Sequence, residues 1–252
     1  VQISRPTQAL LNTLAIVGLS RQAALPVARR VSQSRAGSIA RKVVGLALGS
    51  SLIGVAVALL VNAELGMPPY DVLSSGIQSH TTLTLGQSSW LISGVLFMTA
   101  ALLGRFPSVW GLSYVFLNGI AIDAAIGLVN APDLLIVRWG FVVAAAALIS
   151  IAISIVVYSG TTGGSFELLM LAGEDRGVSR IKVRYALDIG IFALGLILGG
   201  KFGVATIVHA ATIGVLLRTI SQVLLDYERG RNARMQEQLD ARPLVRAAAV
   251  RK

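Results

Sequence analysis

Apolar residues run along this chain in long unbroken blocks, without the period-two alternation of a strand or the one-sided stripe of a soluble helix. Six blocks stand out, at 43–63, 86–104, 107–129, 139–159, 185–200 and 202–217, and residues 43–63 contain no charge at all. At 1.5 Å of rise per residue, about 20 apolar residues cover the roughly 30 Å hydrocarbon core of a bilayer. The pattern predicts an all-α, polytopic membrane helix bundle of about six transmembrane helices. It divides the chain into an N-terminal tail (1–42), a transmembrane domain (43–225) and a C-terminal tail (226–252).

The blocks recur. Shifting the chain by about 96 residues lays Leu65-Gly66-Met67-Pro68-Pro69-Tyr70-Asp71 over Thr161-Thr162-Gly163-Gly164-Ser165-Phe166-Glu167, so that aromatic meets aromatic and acid meets acid. The same shift lays residues 103–107 over 199–203, and one further gap brings Asn118-Gly119 onto Ile213-Gly214. Each half, 43–130 and 138–225, reads as a span, a Gly/Pro-rich break, a short helix and two more spans. Three spans is an odd number, so the second copy is expected upside down relative to the first: two inverted three-helix repeats with short half-helices at 70–80 and 166–172. Paired interruptions of this kind are the pattern of many secondary transporters.

Charge supports the same topology. The formal net charge is +10 and the sequence pI near 10.8, with only 13% charged residues against 54% hydrophobic ones and a mean hydropathy of +0.74. A soluble domain has a charged fraction nearer a quarter. Twenty of the 22 Lys and Arg fall in residues 1–42, at Arg105, in the 160–184 loop or from Arg218 onward; Arg138 and Lys201 are the exceptions. The positive-inside rule then puts both termini in the cytoplasm. Topology accounts for the basic excess, so nucleic-acid binding is not expected. The acid-free first 63 residues read either as a mitochondrial-type presequence or as a basic tail whose 9–24 stretch lies on anionic lipid as an amphipathic helix; the second is favoured, and no cleavable secretory signal is expected.

The candidate chemistry lies in the breaks and in polar groups at membrane depth. Pro68 and Pro69 cannot sit inside a helix without loss of backbone hydrogen bonds, but they suit a helix start. Gly66, Pro68, Asp71, Thr162, Gly163, Glu167 and Asn118 are the expected solute-binding residues. Open N–H groups at two short-helix N-termini favour an anion, while Asp71 and Glu167 either cap their own helices or form a pseudo-symmetric pair that titrates or meets a cation. Asp123, Arg184 and Asp188 are the expected proton- or ion-coupling groups, because ionisable side chains in a membrane are expensive. Arg184 and Asp188 stand four apart on one helix face and can pair; Asp123 has no partner nearby in sequence, which leaves Arg138 on another helix or a proton-carrying role. His209 reads as a packing residue. With two His and no Cys, no metal site is expected. Nor is any cofactor or catalytic residue: no HExxH, P-loop or paired Ser/His is present. Gly45/Gly49 and Gly195/Gly199 have the spacing that lets helices approach closely, within the bundle or, less favoured, in a homodimer. Trp90, Trp110 and Trp139 are expected as interfacial anchors.

The combination of Leu65-Gly66-x-Pro68-x-x-Asp71-x-Leu73-x-x-Gly76 with Leu103-Gly104-Arg105, Asn118-Gly119 to Asp123 and Arg184-x-x-x-Asp188 before Gly199-Gly200 resembles the YczE/YitT-type bacterial integral membrane proteins over about residues 43–222. Where such proteins tend to repeat a Gly-Pro-x-Asp element, this chain has Gly163-Gly164-Ser165-Phe166-Glu167. The resemblance implies a multi-pass protein of the bacterial inner (plasma) membrane. The leading expectation is a carrier or exporter of a small polar or anionic solute, with the lipid bilayer and that solute as its partners. The alternative is a non-transporting scaffold or accessory subunit acting through the basic tails.

Overall fold

A computed structural model describes residues 35–161 and 164–209, and they form helices joined by short turns. In chain order these are α1 (Arg35–Ala63), α2 (Pro69–His80), α3 (Leu85–Leu102), α4 (Val109–Ile126), α5 (Leu135–Ser159), α6 (Ser165–Glu174) and α7 (Arg180–Ile197), and a further helix opens at 204. The fold class read from the sequence holds at the level of an all-helical bundle. Four helices are long and apolar enough to cross a membrane: α1 over Ile39–Ala63, α3, α4 and α5. The expected count of six is not reached among the described residues. The fifth block lies on α7, which also carries Arg180, Lys182, Arg184 and Asp188, and the sixth runs on past residue 209.

Local chemistry sets the boundaries. Thr84 caps α3 in a reciprocal box with Gln87, and the hydroxyls of Ser108 and Ser179 accept from the first turns of α4 and α7. At the other ends, Gly104 (φ 78°) and Gly199 (φ 66°) adopt the left-handed conformation that lets the chain close a Schellman turn. The bonds are Arg105 N–H to Ala100 O at 2.9 Å and Gly200 N–H to Gly195 O at 2.8 Å. Gly199 is therefore a helix stop, and Gly200 rather than Gly199 is the packing partner of Gly195. Thr84 and Ser179 are 95 residues apart, as are Gly104 and Gly199, whereas Pro69 and Ser165 are 96 apart. The extra residue thus falls before α3 and α7, not between 107 and 118, and Gly104 corresponds to Gly199 rather than Gly200.

Helices α1 and α5 run antiparallel against each other. A Cβ on Gly45 would lie 2.3 Å from Ser159 Cβ, and one on Gly49 2.3 Å from Val156. At the far end Arg138 pairs with Glu64 at 2.7 Å. Gly54 meets the backbone of Ala121 in the same way and brings α4 onto α1. This is the close approach expected of small residues in membrane helices, where apolar burial offers no contrast with lipid. Two apolar clusters follow: Ala56, Leu60, Val142, Ala145 and Ile149 between α1 and α5, and Leu73, Ile92, Leu96, Leu169 and Ile191 among α2, α3, α6 and α7. The outward stripe Leu91, Val95, Met98 and Leu102 of α3 is exposed, from 51% at Leu91 to 81% at Leu102. Such a surface is suited to lipid and not to water.

Helix α2 packs on α7 and α3, while α6 packs on α3 and α7. Each short helix therefore bridges the two halves of the chain. The ends of the bundle are chemically distinct. At one end Lys42 lies over the Trp110 ring at 5.2 Å, Arg105 pairs with Asp175, and Arg180 pairs with Glu174. At the other end lie the Glu64–Arg138 pair, the Ser79 hydroxyl bonded to Leu198 O, and the Lys201 N–H donated to Ser75 Oγ at 2.9 Å.

Candidate functional site

The two Gly/Pro-rich breaks meet. After Pro68-Pro69, α2 begins beside the middle of α3, so that the Tyr70 hydroxyl donates to Ser89 O at 2.8 Å and lies 2.8 Å from Ser93 Oγ. Ser93 is eight residues into α3, about 12 Å along a helix of about 27 Å. From the opposite direction Ser165, the first residue of α6, donates its hydroxyl to the same Ser93 Oγ at 3.2 Å. The next residue, Phe166, packs its ring against Tyr70 with centroids 5.7 Å apart and planes tilted by 58°. Tyr70 and Phe166 are the aromatic residues that the sequence repeat superimposes.

Phe166 is gripped from its other neighbour, α7. The Arg184 guanidinium stands 5.1 Å from the Phe166 ring centre, and its Nε donates to Asp188 Oδ2 at 2.7 Å. At the 95-residue interval Arg184 and Asp188 occupy the positions of Ser89 and Ser93. Each half thus seats its break aromatic on an i, i+4 polar pair, hydroxyls in the first and an ion pair in the second. The expected Arg184–Asp188 pair is present.

Asp71 and Glu167 both occupy the third position of their helices. Neither N-terminus is closed by a side-chain cap. The Asp71 side chain is 7% exposed, and no hydrogen bond or ion pair reaches it among the described residues. Glu167 is half-buried. Gly66 (φ 110°) serves chain packing: a Cβ there would lie 2.4 Å from Gly203 N, and Leu65 O accepts from Ala205 N–H at 2.9 Å beside it. Pro68 is the residue before α2, and its carbonyl accepts from Val72 N–H. Thr162 and Gly163 lie outside the described residues. Asn118 approaches the second break through its turn-mate Tyr114, with which its side chain interacts; the Tyr114 ring would lie 3.6 Å from a Cβ on Gly164. The Asn118 Oδ1 atom is buried without a partner among the described residues.

Asp123 is elsewhere, and it is not paired with Arg138. Its carboxylate accepts from Thr84 Oγ1 at 2.6 Å and from Gly86 N–H at 2.8 Å, fastening the start of α3 to the end of α4. Arg138 goes to Glu64 and to Pro132 O, since the turn into α5 brings it beside the end of α1. The Trp90 Nε1 donates to Phe116 O at 3.2 Å and its ring stacks on Phe116. His209 is buried, and its Nδ1 has no hydrogen-bond partner among the described residues. The site residues that the sequence left unweighted are Ser93, Ser165 and Tyr114. Their signal was present only as small or aromatic residues at helical spacing from the breaks.

The loops at the basic end hold the α3–α4 turn to the α6–α7 turn. Arg105 Nη2 donates to Asp175 Oδ1 at 2.7 Å, and the guanidinium holds the Asp175 carboxyl below the usual carboxylate range. Arg176 adds a bond to Leu103 O.

A family model described as a family of unknown function, DUF6198, matches residues 40–222, which takes in every helix described above except the first turn of α1. The chain belongs to the DUF6198 family. An uncharacterised protein of Haemophilus influenzae is 26% identical over 175 residues, covering 69% of this chain and 80% of its own length. The uncharacterised protein YyaS of Bacillus subtilis is 25% identical over 193 residues, covering 74% of this chain and 96% of its own. No solved structure matches. The four long apolar helices mark this as a helical membrane protein.

Proposed function

We propose that this DUF6198 protein is a carrier or exporter of a small polar or anionic solute, built from two inverted repeats whose breaks form the solute site. The observation that carries the reading is the Tyr70–Phe166 contact halfway along α3, where two short helices arriving from opposite ends of the bundle meet. Backbone interrupted at membrane depth is tolerated only where it is buried in protein or lines a wet cavity. Half-helix N-termini at the midplane then supply the polar spot in an apolar slab. The antiparallel α1–α5 contact supports the inverted relation, because the corresponding helices of upside-down copies run in opposite directions. So does the exchange of partners, with α2 on α7 and α6 on α3.

In this reading α7 and the helix opening at 204 complete six spans, and α2 and α6 are re-entrant. The end carrying Lys42, Arg105, Arg176 and Arg180 faces the cytoplasm of a bacterial cell, with both tails, and the Glu64–Arg138 end faces outward. The resemblance to YczE/YitT-type proteins fits this placement. Asp71, Glu167 and Asn118 contact the solute, and the protein is a carrier, not an enzyme.

Reconstitution tests it. Proteoliposomes holding the full chain are challenged with a panel of small carboxylates, phosphorylated metabolites and amino acids. Uptake of at least one above protein-free vesicles is expected, abolished by Asp71→Asn with the folded protein still recovered. Uptake of none, or full uptake by the variant, contradicts the proposal or its site.

A further inference from the structure

Among the described residues one cation, Arg184, lies over a break aromatic, Phe166, and its geometry leaves its recognition face open. Arg184 is ion-paired through Nε alone: Asp188 accepts there at 2.7 Å, and no described residue takes a hydrogen bond from Nη1 or Nη2. The guanidinium carbon lies 5.1 Å from the Phe166 ring centre, and Phe166 in turn packs on Tyr70. The side chain is 50% exposed, on the helix face it shares with Ile181, Tyr185 and Ile189, so the guanidinium is not sealed in a closed salt bridge.

A purely structural ion pair in an apolar helix would be expected to use the guanidinium fork, since the bidentate Nη/Nε geometry is its strongest contact with a carboxylate. Arg105 does this with Asp175, through Nε and Nη2. The corresponding position in the other half is Ser89, whose backbone and hydroxyl are occupied by Tyr70. The second half therefore departs from the first by placing an always-charged, planar, weakly hydrated cation against its break aromatic, Phe166. Such a group is costly at membrane depth, which makes it a candidate for function.

The geometry points to Arg184 as the residue that selects the solute, and to an oxyanion, a carboxylate or a phosphate, as the solute's recognised group. Asp188 holds the guanidinium at Nε and Phe166 lies against it, so the free Nη pair presents two donors to an oxyanion. This rests on the carrier reading for the site's purpose, but the binding it asserts is measurable without transport.

The test uses the purified full-length chain in detergent micelles, with its melting temperature followed against sodium benzoate, inorganic phosphate and neutral benzamide. A ligand that binds the folded state raises that temperature saturably. Benzoate or phosphate is expected to do so and benzamide not; which of the two acts identifies the oxyanion class. Arg184→Gln is expected to abolish the shift and Arg184→Lys to weaken it several-fold. Asp188→Asn keeps the charged fork and loosens what positions it, so the shift is expected to be weakened but not abolished. A structural ion pair would make Arg184→Gln and Asp188→Asn behave alike. No saturable shift with either oxyanion, or an equal shift in Arg184→Gln, overturns the assignment. Flux of neutral or cationic solutes without oxyanion binding sinks this assignment and leaves the carrier standing, whereas oxyanion binding without flux of any solute does the reverse.

Discussion

Tyr70 and Phe166, the aromatic residues that follow the two breaks, pack against each other with ring centroids 5.7 Å apart and planes tilted by 58°. The chain has no cysteine, so the pair can be probed directly. In Tyr70→Cys/Phe166→Cys, a short bifunctional thiol reagent is expected to link the two halves, so that a chain cleaved in the α4–α5 turn still migrates as one species. Migration as two fragments would separate the breaks.

Tyr70→Phe keeps the ring and removes the hydroxyl that bonds Ser89 and Ser93. A net hydrogen bond is worth about 1 kcal/mol, and stranding a buried partner costs about 1–3 kcal/mol. Thermal unfolding in detergent is expected to show a loss in that range, and a loss of similar size in Ser93→Ala, which also strands Ser165. Unchanged melting in both would mean the hydroxyl chain contributes nothing.

Asp123 holds the first turn of α3 through Thr84 and Gly86. Asp123→Ala is expected to destabilise by about 1–3 kcal/mol, and Asp123→Asn, which keeps one acceptor, by less. Because the contact is helix-fastening, neither variant should change the solute concentration for half-maximal uptake. A shift in that value with normal stability would return Asp123 to the coupling machinery.

Glycine positions separate packing from composition. A Cβ on Gly119 would sit 2.0 Å from Trp90 Nε1, and one on Gly200 2.0 Å from Val72 O, while Gly94 and Gly140 have nothing within 4 Å. Gly119→Ala and Gly200→Ala are expected to lower stability by about 1–3 kcal/mol, the usual cost of overpacking. Gly94→Ala and Gly140→Ala should be neutral or stabilising, since Ala is the better helix former by about 1 kcal/mol. Equal effects at all four would show that these contacts do not exist.

The Arg105–Asp175 pair has a defined pH signature. The Asp175 carboxyl is depressed by the Arg105 hydrogen bond and charge, so its contribution is fully present above the ordinary carboxylate range and is lost as pH falls through the lowered folded value. Wild type and Asp175→Asn are expected to differ in melting temperature at neutral pH and to converge at strongly acid pH. A constant difference across that window would mean the charge is not what matters.

The helices and their ends were legible where one physical signal dominates. The uncharged run 43–63 forecast α1, although the helix starts earlier, at Arg35, because nothing between 35 and 42 breaks it. Pro68-Pro69 and the small-residue run at 159–165 forecast the two breaks, because Pro and Gly act locally. Partner choice was not legible. Asp123 lies on the end of α4, and only the α3–α4 packing brings Thr84 to it, while Arg138 lies one turn inside α5 beside Glu64. The contact between Tyr70 and Phe166 was implicit in the repeat, since residues equivalent under a two-fold exchange meet only on its axis; sequence alone does not say which equivalents do so.

The most direct test of the inverted arrangement is the sidedness of the two turns that follow the short helices. Thr82 and Val178 are exposed there, the latter at 43%. With Thr82→Cys and Val178→Cys expressed separately in cells, a membrane-impermeant thiol reagent is expected to label Thr82→Cys in intact cells and Val178→Cys only after permeabilisation. Labelling of both from the same face would contradict the account.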